Sequence, residues 1–250
     1  MRAFCYRHFG LWALVVSLLP SFACAANLVV DGGFEVPVAG PGGFNSGYLN
    51  FNSGQTIASA WTVIGSGADV SVFPNTESTA GGTFTVQEGL QALDLTGDFD
   101  NGAAMGVQQT LATTPGAQYT LSFYVGHFDG AARGGPSATV LVMLNGALYQ
   151  TAVNSGNTAG ADNWLLFTDT FVATSATTTL AFINGTASTS NGGGIFAGLD
   201  NVQFLSPAAA VPEPAPCFLL AIALLPLIAI RRRSSAHSYT RTSFQTLGVI

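Results

Sequence analysis

The sequence predicts an all-β fold, an antiparallel β-sandwich. Three observations carry this. Apolar and polar residues alternate with the period of two that a half-buried strand requires, as in Gln118-Tyr-Thr-Leu-Ser-Phe-Tyr-Val125. Roughly ten short segments of strand character follow one another, with Gly, Asn and Ser between them. No long segment repeats its apolar residues at helical spacing. Many short strands joined by turn-forming residues bury their apolar faces by packing one sheet on another.

In chain order the first candidate strands are 28–30, 58–64, 69–73, 91–95 and 106–111. Residues 118–125 give the clearest alternation. Residues 137–144 form a more continuous apolar run that ends at Asn145-Gly146. That pair suits a tight hairpin, which needs positive φ at both central positions. Residues 147–153 then return as the partner strand. Residues 164–173, 177–184 and 198–205 complete the series. The stretches 40–54 and 188–194 are rich in Gly, Asn and Ser and read as loops.

The two ends read as addresses. Residues 1–25 form a signal peptide, expected as an N-terminal helix. Arg2 and Arg7 precede an apolar run over 9–19, which is too short to span a bilayer. Ala23-Cys24-Ala25 places cleavage after Ala25. At the other end, residues 206–216 are a Pro/Ala linker containing Pro212, Glu213 and Pro214. Residues 217–233 carry a short hydrophobic helix closed by Arg231, Arg232 and Arg233. Arginines just past an apolar segment hold that end in the cytoplasm, which makes residues 234–250 a cytoplasmic tail. The order of Pro-Glu-Pro, apolar helix and Arg cluster resembles the PEP-CTERM sorting signal. The resemblance implies a Gram-negative bacterium that exports polysaccharide, processing by an exosortase-type enzyme and a transient membrane anchor. It also implies delivery to the cell surface or the extracellular matrix of a biofilm. The tail is longer than such signals usually carry.

Composition excludes several classes. Charged residues make up 8% of the 250, against about a quarter in most proteins. All seven basic residues are Arg. Such a chain is a poor nucleic-acid binder, because it cannot neutralise phosphates. It is also too apolar for general disorder. Residues 27–205 hold twelve of the thirteen acids and one basic residue, Arg133, for a formal charge of −11. They contain no Cys, and His127 is their only histidine.

The opening string Asn27-Leu-Val-Val-Asp-Gly-Gly-Phe-Glu35 is followed by Trp61. Gly89-Leu-Gln-Ala-Leu-Asp-Leu-Thr-Gly97, Val107-Gln-Gln-Thr-Leu111 and Pro115-Gly-Ala-Gln-Tyr-Thr-Leu-Ser-Phe123 come next. Trp164, Phe171-Val-Ala173 and Gly198-Leu-Asp-Asn-Val202 close the series. In order, these strings resemble carbohydrate-binding-module jelly rolls of the galactose-binding-like superfamily. They are also similar to bacterial choice-of-anchor domains and to a plant cell-wall family on the same plan. The resemblance implies a jelly-roll sandwich with a non-catalytic role in binding or assembly at a polysaccharide surface. It further implies a structural Ca²⁺ held by Glu35 and Asp200, to which Asp31 adds an oxygen; Ca²⁺ takes six to eight oxygen ligands.

Other readings stay open beside it. Trp61 and Trp164 are expected to pack in the sandwich core. Asp98-Phe-Asp-Asn-Gly102 reads as an ordinary turn, since Gln109 stands where a calcium loop needs Glu. Tyr48, Phe51, Phe99 and Phe128 fall in loops or at strand ends, where a ring can stack on a sugar. His127 and Arg133, near Phe128, form the only cation-capable cluster, and Arg133 offers a partner for a sugar acid. A lone His excludes two- and three-histidine zinc sites, and no Gly-x-Ser-x-Gly elbow exists. The expected function is exopolysaccharide or cell-surface glycan binding without catalysis. The alternatives are a structural matrix protein with no specific ligand and a carboxylate-based glycosidase or lyase.

Overall fold

A computed structural model describes residues 25–208, apart from 41–46, 68, 76, 80–81, 98–103, 129–134, 157–161 and 188–195. The signal segment, Pro212, Glu213, Pro214, the apolar helix, the cluster Arg231, Arg232 and Arg233, and the tail lie outside the described residues. Phe99 and Arg133 lie outside them as well. Ala25–Ala208 forms a compact unit by itself.

Its strands are β1 (Leu49–Phe51), β2 (Thr56–Ile57), β3 (Trp61–Ile64), β4 (Val70–Pro74), β5 (Glu77–Thr79), β6 (Gly82–Phe84) and β7 (Gln91–Asp94). Then come β8 (Gly106–Ala112), β9 (Gln118–Phe128), β10 (Ala138–Leu144), β11 (Ala147–Asn154), β12 (Asp162–Val172), β13 (Thr177–Asn184) and β14 (Ala197–Leu205). Two six-stranded sheets form the sandwich. The front sheet has the order β1-β4-β7-β14-β9-β12, and the back sheet has the order β11-β10-β13-β8-β3-β2. All of these pairings are antiparallel. The predicted sandwich is the fold observed, and β5 and β6 add a separate hairpin.

The alternation seen in the sequence becomes the core. In β10, Ala138, Val140, Val142 and Leu144 point inward, while Thr139, Leu141 and Met143 point outward. In β9, Tyr119, Leu121, Phe123 and Val125 do the same against the other sheet. Trp61 is fully buried, with its ring 5.6 Å from that of Phe34 and 6.1 Å from that of Phe182. Its Nε1 donates to the Asp31 carbonyl at 2.9 Å, so the indole is satisfied as well as packed. The hairpin at Asn145 and Gly146 forms with φ of 51° and 80°. Asn145 Oδ1 also accepts from the Thr179 amide, tying the turn to β13.

A second, smaller cluster lies on the outer side of the front sheet. Phe73, Ala92, Phe128 and Phe196 gather there under Phe84 of β6. Ring centroids stand 4.5 Å apart for Phe84 and Phe128 and 4.7 Å apart for Phe84 and Phe196. Trp164 belongs to this cluster and not to the main core, which corrects the sequence expectation. The reason lies in its neighbours across the sheet, Gly126 and Gly198. A Cβ on either one would stand within 3 Å of the Trp164 or Phe196 ring. These glycines leave room for the Trp164 and Phe196 rings, which meet edge to face on the outer side.

Two other differences have simple causes. Residues 28–30 make no strand; only Asn27 forms a bridge, to Leu205. The elements β1, β2, β5 and β6 have two or three residues each, too few to show a period.

Candidate functional site

The candidate site begins with an irregularity in β14. Its pairing with β9 runs from Ala197↔His127 to Asp200↔Tyr124, then resumes at Gln203↔Ser122. One extra residue has entered β14, a β-bulge that re-aims the side chains around it. Asn201 takes the strain with a φ of 46°, and Asn tolerates that left-handed region better than most residues. The outcome is that Asp200 and Gln203 both sit on the outer side, with Val202 buried in the core.

Beside the bulge, the outer face of the front sheet forms an open cleft of about 240 Å³. Thr120, Ser122 and Tyr124 of β9, Leu166 and Thr168 of β12, and Asn201 and Gln203 of β14 line it. A second cleft, of about 260 Å³, continues from Asn201 and Gln203 to Asn27, Asp31, Gly33 and Glu88. The two share their amide residues, so together they make one trough across β14. Gln203 Nε2 donates to Asn201 Oδ1 at 2.8 Å, which fixes the orientation of both amides.

The acidic end of the trough is built by the first loop, the last strand and the turn before β7. Glu35, Glu88 and Asp200 all approach Gly33, where a Cβ would stand 3.3–3.8 Å from their side-chain atoms. Each acid has work in the backbone. Asp200 Oδ2 accepts from the Gln87 and Glu88 amides, both at 2.9 Å, and Oδ1 accepts from the Asn201 amide at 2.7 Å. Glu35 Oε1 accepts from Leu90 and Gln91 at 2.7 and 3.1 Å. Asp31 Oδ1 accepts from the Glu35 amide at 2.8 Å. Two carboxylates thus clasp the 87–91 turn from both ends of the chain. Gly89 completes it with a φ of 64°, where a Cβ would strike Glu35.

Burial dominates the electrostatics. Asp200 is fully buried, and loss of water pushes its pKa up to about 7, although its three amide donors pull the other way. The charge of Glu88 adds to the rise. Asp31 is raised for the same first reason.

Glu35, Asp200 and Asp31 do come together, as the resemblance implies. Four of their six carboxylate oxygens accept from backbone amides. Asp200 spends both oxygens, and Glu35 one, on backbone N–H groups. Asp31 Oδ2 is left as a buried oxygen without a partner. Among the described residues, no three acidic, histidine or cysteine side chains converge at metal-ligand spacing.

The predicted glycan contacts are scattered. His127 is buried on the core side of β9, with ring nitrogens 2.8 Å from the Gly156 and Gly135 carbonyls. Phe128 is fully buried in the outer cluster. Neither presents a surface to a ligand, because neighbouring elements cover both. Tyr48 is half-buried against Phe73, with centroids 6.3 Å apart. The residues that do line the trough, Thr120, Ser122 and Tyr124, were visible as the outward half of the 118–125 alternation. Their convergence with Asn201 and Gln203 depends on the bulge and on strand order.

Residues 27–202 match a protein family described as "Protein of unknown function (DUF642)". No curated protein matches the chain in sequence. Among solved structures, the chain is similar to a family 61 carbohydrate-binding module, TmCBM61, in complex with β-1,4-galactotriose. Identity is 14%, coverage is 73% of this chain and 99% of that one, and the TM-score is 0.43. It is also similar to the CBM22-1 xylan-binding domain from Paenibacillus barcinonensis Xyn10C, at 20% identity, 65% and 94% coverage and a TM-score of 0.35. A family 35 carbohydrate-binding module from Clostridium thermocellum is 10% identical, with 64% and 98% coverage and a TM-score of 0.37.

Proposed function

The chain belongs to the DUF642 family, and from its own surface we propose that the sandwich is a glycan-binding module of an exported protein. The trough on the front sheet carries this reading. Thr120, Ser122, Thr168, Asn201 and Gln203 offer hydroxyls and amides around the half-exposed ring of Tyr124. A pyranose is their complement. Its hydroxyls donate and accept around the rim, and its C–H faces pack on an aromatic ring. Glu88 at the far end adds a carboxylate, a strong acceptor for sugar hydroxyls. The charge of −11 over residues 27–205 repels acidic polymers, so the ligand class is a neutral polysaccharide.

The acids serve this module as a scaffold. They fix the turn that walls the trough, and Asp200 presents neither oxygen to solvent. The proposal is therefore a binder and not an enzyme. The ends of the chain complete it. Residues 1–25 direct export, and the segment around Arg231, Arg232 and Arg233 holds the chain in the membrane. An exosortase-type enzyme acts near Pro212, Glu213 and Pro214, delivering the sandwich to the surface or matrix.

Affinity electrophoresis of Ala25–Ala208, the unit that carries both sheets and cores, tests the binding. Retardation is expected in gels containing neutral glycans, unchanged by calcium or chelator, and absent with acidic ones. Equal mobility in every gel contradicts it. Intact-mass measurement of protein recovered from the native cell surface tests the sorting: a chain beginning at Ala26 and lacking the apolar tail is expected.

A further inference from the structure

None of the six strands of the back sheet contains an Asp, Glu, Lys, Arg or His. In a domain that carries twelve acids between residues 27 and 205, this is a segregation of charge. The acids stand in the front sheet, at Asp94, Asp162, Asp169 and Asp200, in β5 at Glu77, and in connecting segments. The outward positions of the back sheet form rows. One runs Thr62–Gln108–Ala181–Met143–Leu148, and the next runs Ile64–Gly106–Ile183–Leu141–Thr151. The middle of both rows is apolar, while Thr62, Gln108, Thr110 and Thr139 stand around it. On the edge strand β11, Leu148 is 58% and Val153 is 43% exposed. An apolar centre with a polar, uncharged rim is the composition of a protein–protein interface, where charge is depleted at the core.

From this we infer that the outer face of the back sheet is a self-association surface on which a second copy of this chain docks, sheet against sheet. Charge selects the occupant. Among the described residues, the front-sheet side brings the carboxylates of Glu88 and Asp162 to the surface, and two copies meeting there repel. The back sheet brings none, so it is complementary to itself, as a two-fold contact requires. The area suffices. Five strands at about 4.8 Å separation and roughly seven residues at about 3.4 Å cover about 600 Å² per copy. Two copies bury about 1,200 Å², the lower end of stable interfaces. The inference does not rest on the glycan reading. Joined to it, it has a consequence: the dimer turns its two troughs outward on opposite sides and bridges two polysaccharide chains, with the gain in avidity that bivalence gives.

Sedimentation velocity on Ala25–Ala208, from low to high micromolar concentration, reads the result directly. A dimer is expected, and it should persist in high salt because no ion pair holds it. Leu141→Lys, which places a charge at the apolar centre, should weaken the dimer about tenfold or more. Leu166→Lys, on the front sheet, should leave it intact. Circular dichroism and the melting temperature of each variant separate a lost interface from a lost fold. A wild-type chain that stays monomeric over the whole range overturns the inference. So does a folded Leu141→Lys variant that dimerises as tightly as the wild type.

Discussion

The front and back sheets bury the same kind of residue and expose different ones. Phe123, Leu199 and Phe204 of the front sheet meet Trp61, Val140 and Phe182 of the back sheet in one core. Outside that core the front sheet carries a bulge, an aromatic cluster, a polar trough and three aspartates, Asp94, Asp162 and Asp200. The back sheet carries threonine, glutamine and aliphatic side chains and no charge. Six-stranded order and antiparallel pairing are common to both, so neither architecture nor core packing made the difference. It comes from the outward half of each alternation, where folding places few demands on the residue. On one face that freedom holds hydroxyl and amide groups around an open cleft, and on the other it holds uncharged and aliphatic side chains.

Substitutions sharpen the contrast, and the shared core should respond most. Trp61→Ala removes a fully buried indole and is expected to cost about 3–5 kcal/mol by urea denaturation. Trp164→Ala empties a half-buried site in the outer cluster and should cost clearly less, about 1–2 kcal/mol, since part of its ring already meets water. Equal losses would break the distinction between core and outer cluster.

The next effect belongs to the carboxylate clasp. The pKa of Asp200 is raised from 3.8 to about 7 in the fold, so the folded chain holds a proton that the unfolded chain has released. Its contribution is full below pH 3.8 and is lost as pH rises through about 7. The melting temperature is therefore expected to fall over that window. Asp31 and Asp162, both raised by burial, add in the same direction. Asp200→Asn should flatten the pH profile. It should also cost about 1–3 kcal/mol at acid pH, since one amide loses its acceptor. A profile that rises over the window contradicts the assignment.

Smaller effects separate the outer faces. Tyr124→Ala should abolish retardation by glycan and leave stability within about 1 kcal/mol, because its ring lies half in water. Thr110→Ala, on the exposed rim of the back sheet, should change neither binding nor stability by more than about 0.5 kcal/mol. A loss of binding in the threonine variant would move the site to the other sheet.

Much of the sandwich was legible in the chain. The alternation in 118–125 and the Asn145-Gly146 turn specify β9, β10 and β11 almost residue by residue, because both signals are local. The acid cluster was legible in part. Glu35 and Asp200 stand out in the sequence, yet their partners are amides of the 87–91 turn, which only the closed fold brings between them. Trp164 and Phe128 depart from the sequence expectation for one reason. Strand periodicity assigns a side of the sheet, but a sandwich has an outside that β6 and Phe196 cover locally. The trough was not legible, since it depends on one inserted residue at Asn201 and on β14 lying between β7 and β9.

Backbone amide shift mapping of Ala25–Ala208 with a neutral oligosaccharide that retards it tests the central claim most directly. Shifts are expected to cluster at Ser122, Tyr124, Thr168, Asn201 and Gln203, and to vanish in Tyr124→Ala. Shifts centred on Leu141, Met143 and Ile183 of the back sheet, or the same shifts in the Tyr124→Ala variant, would contradict the assignment of the trough as the glycan site.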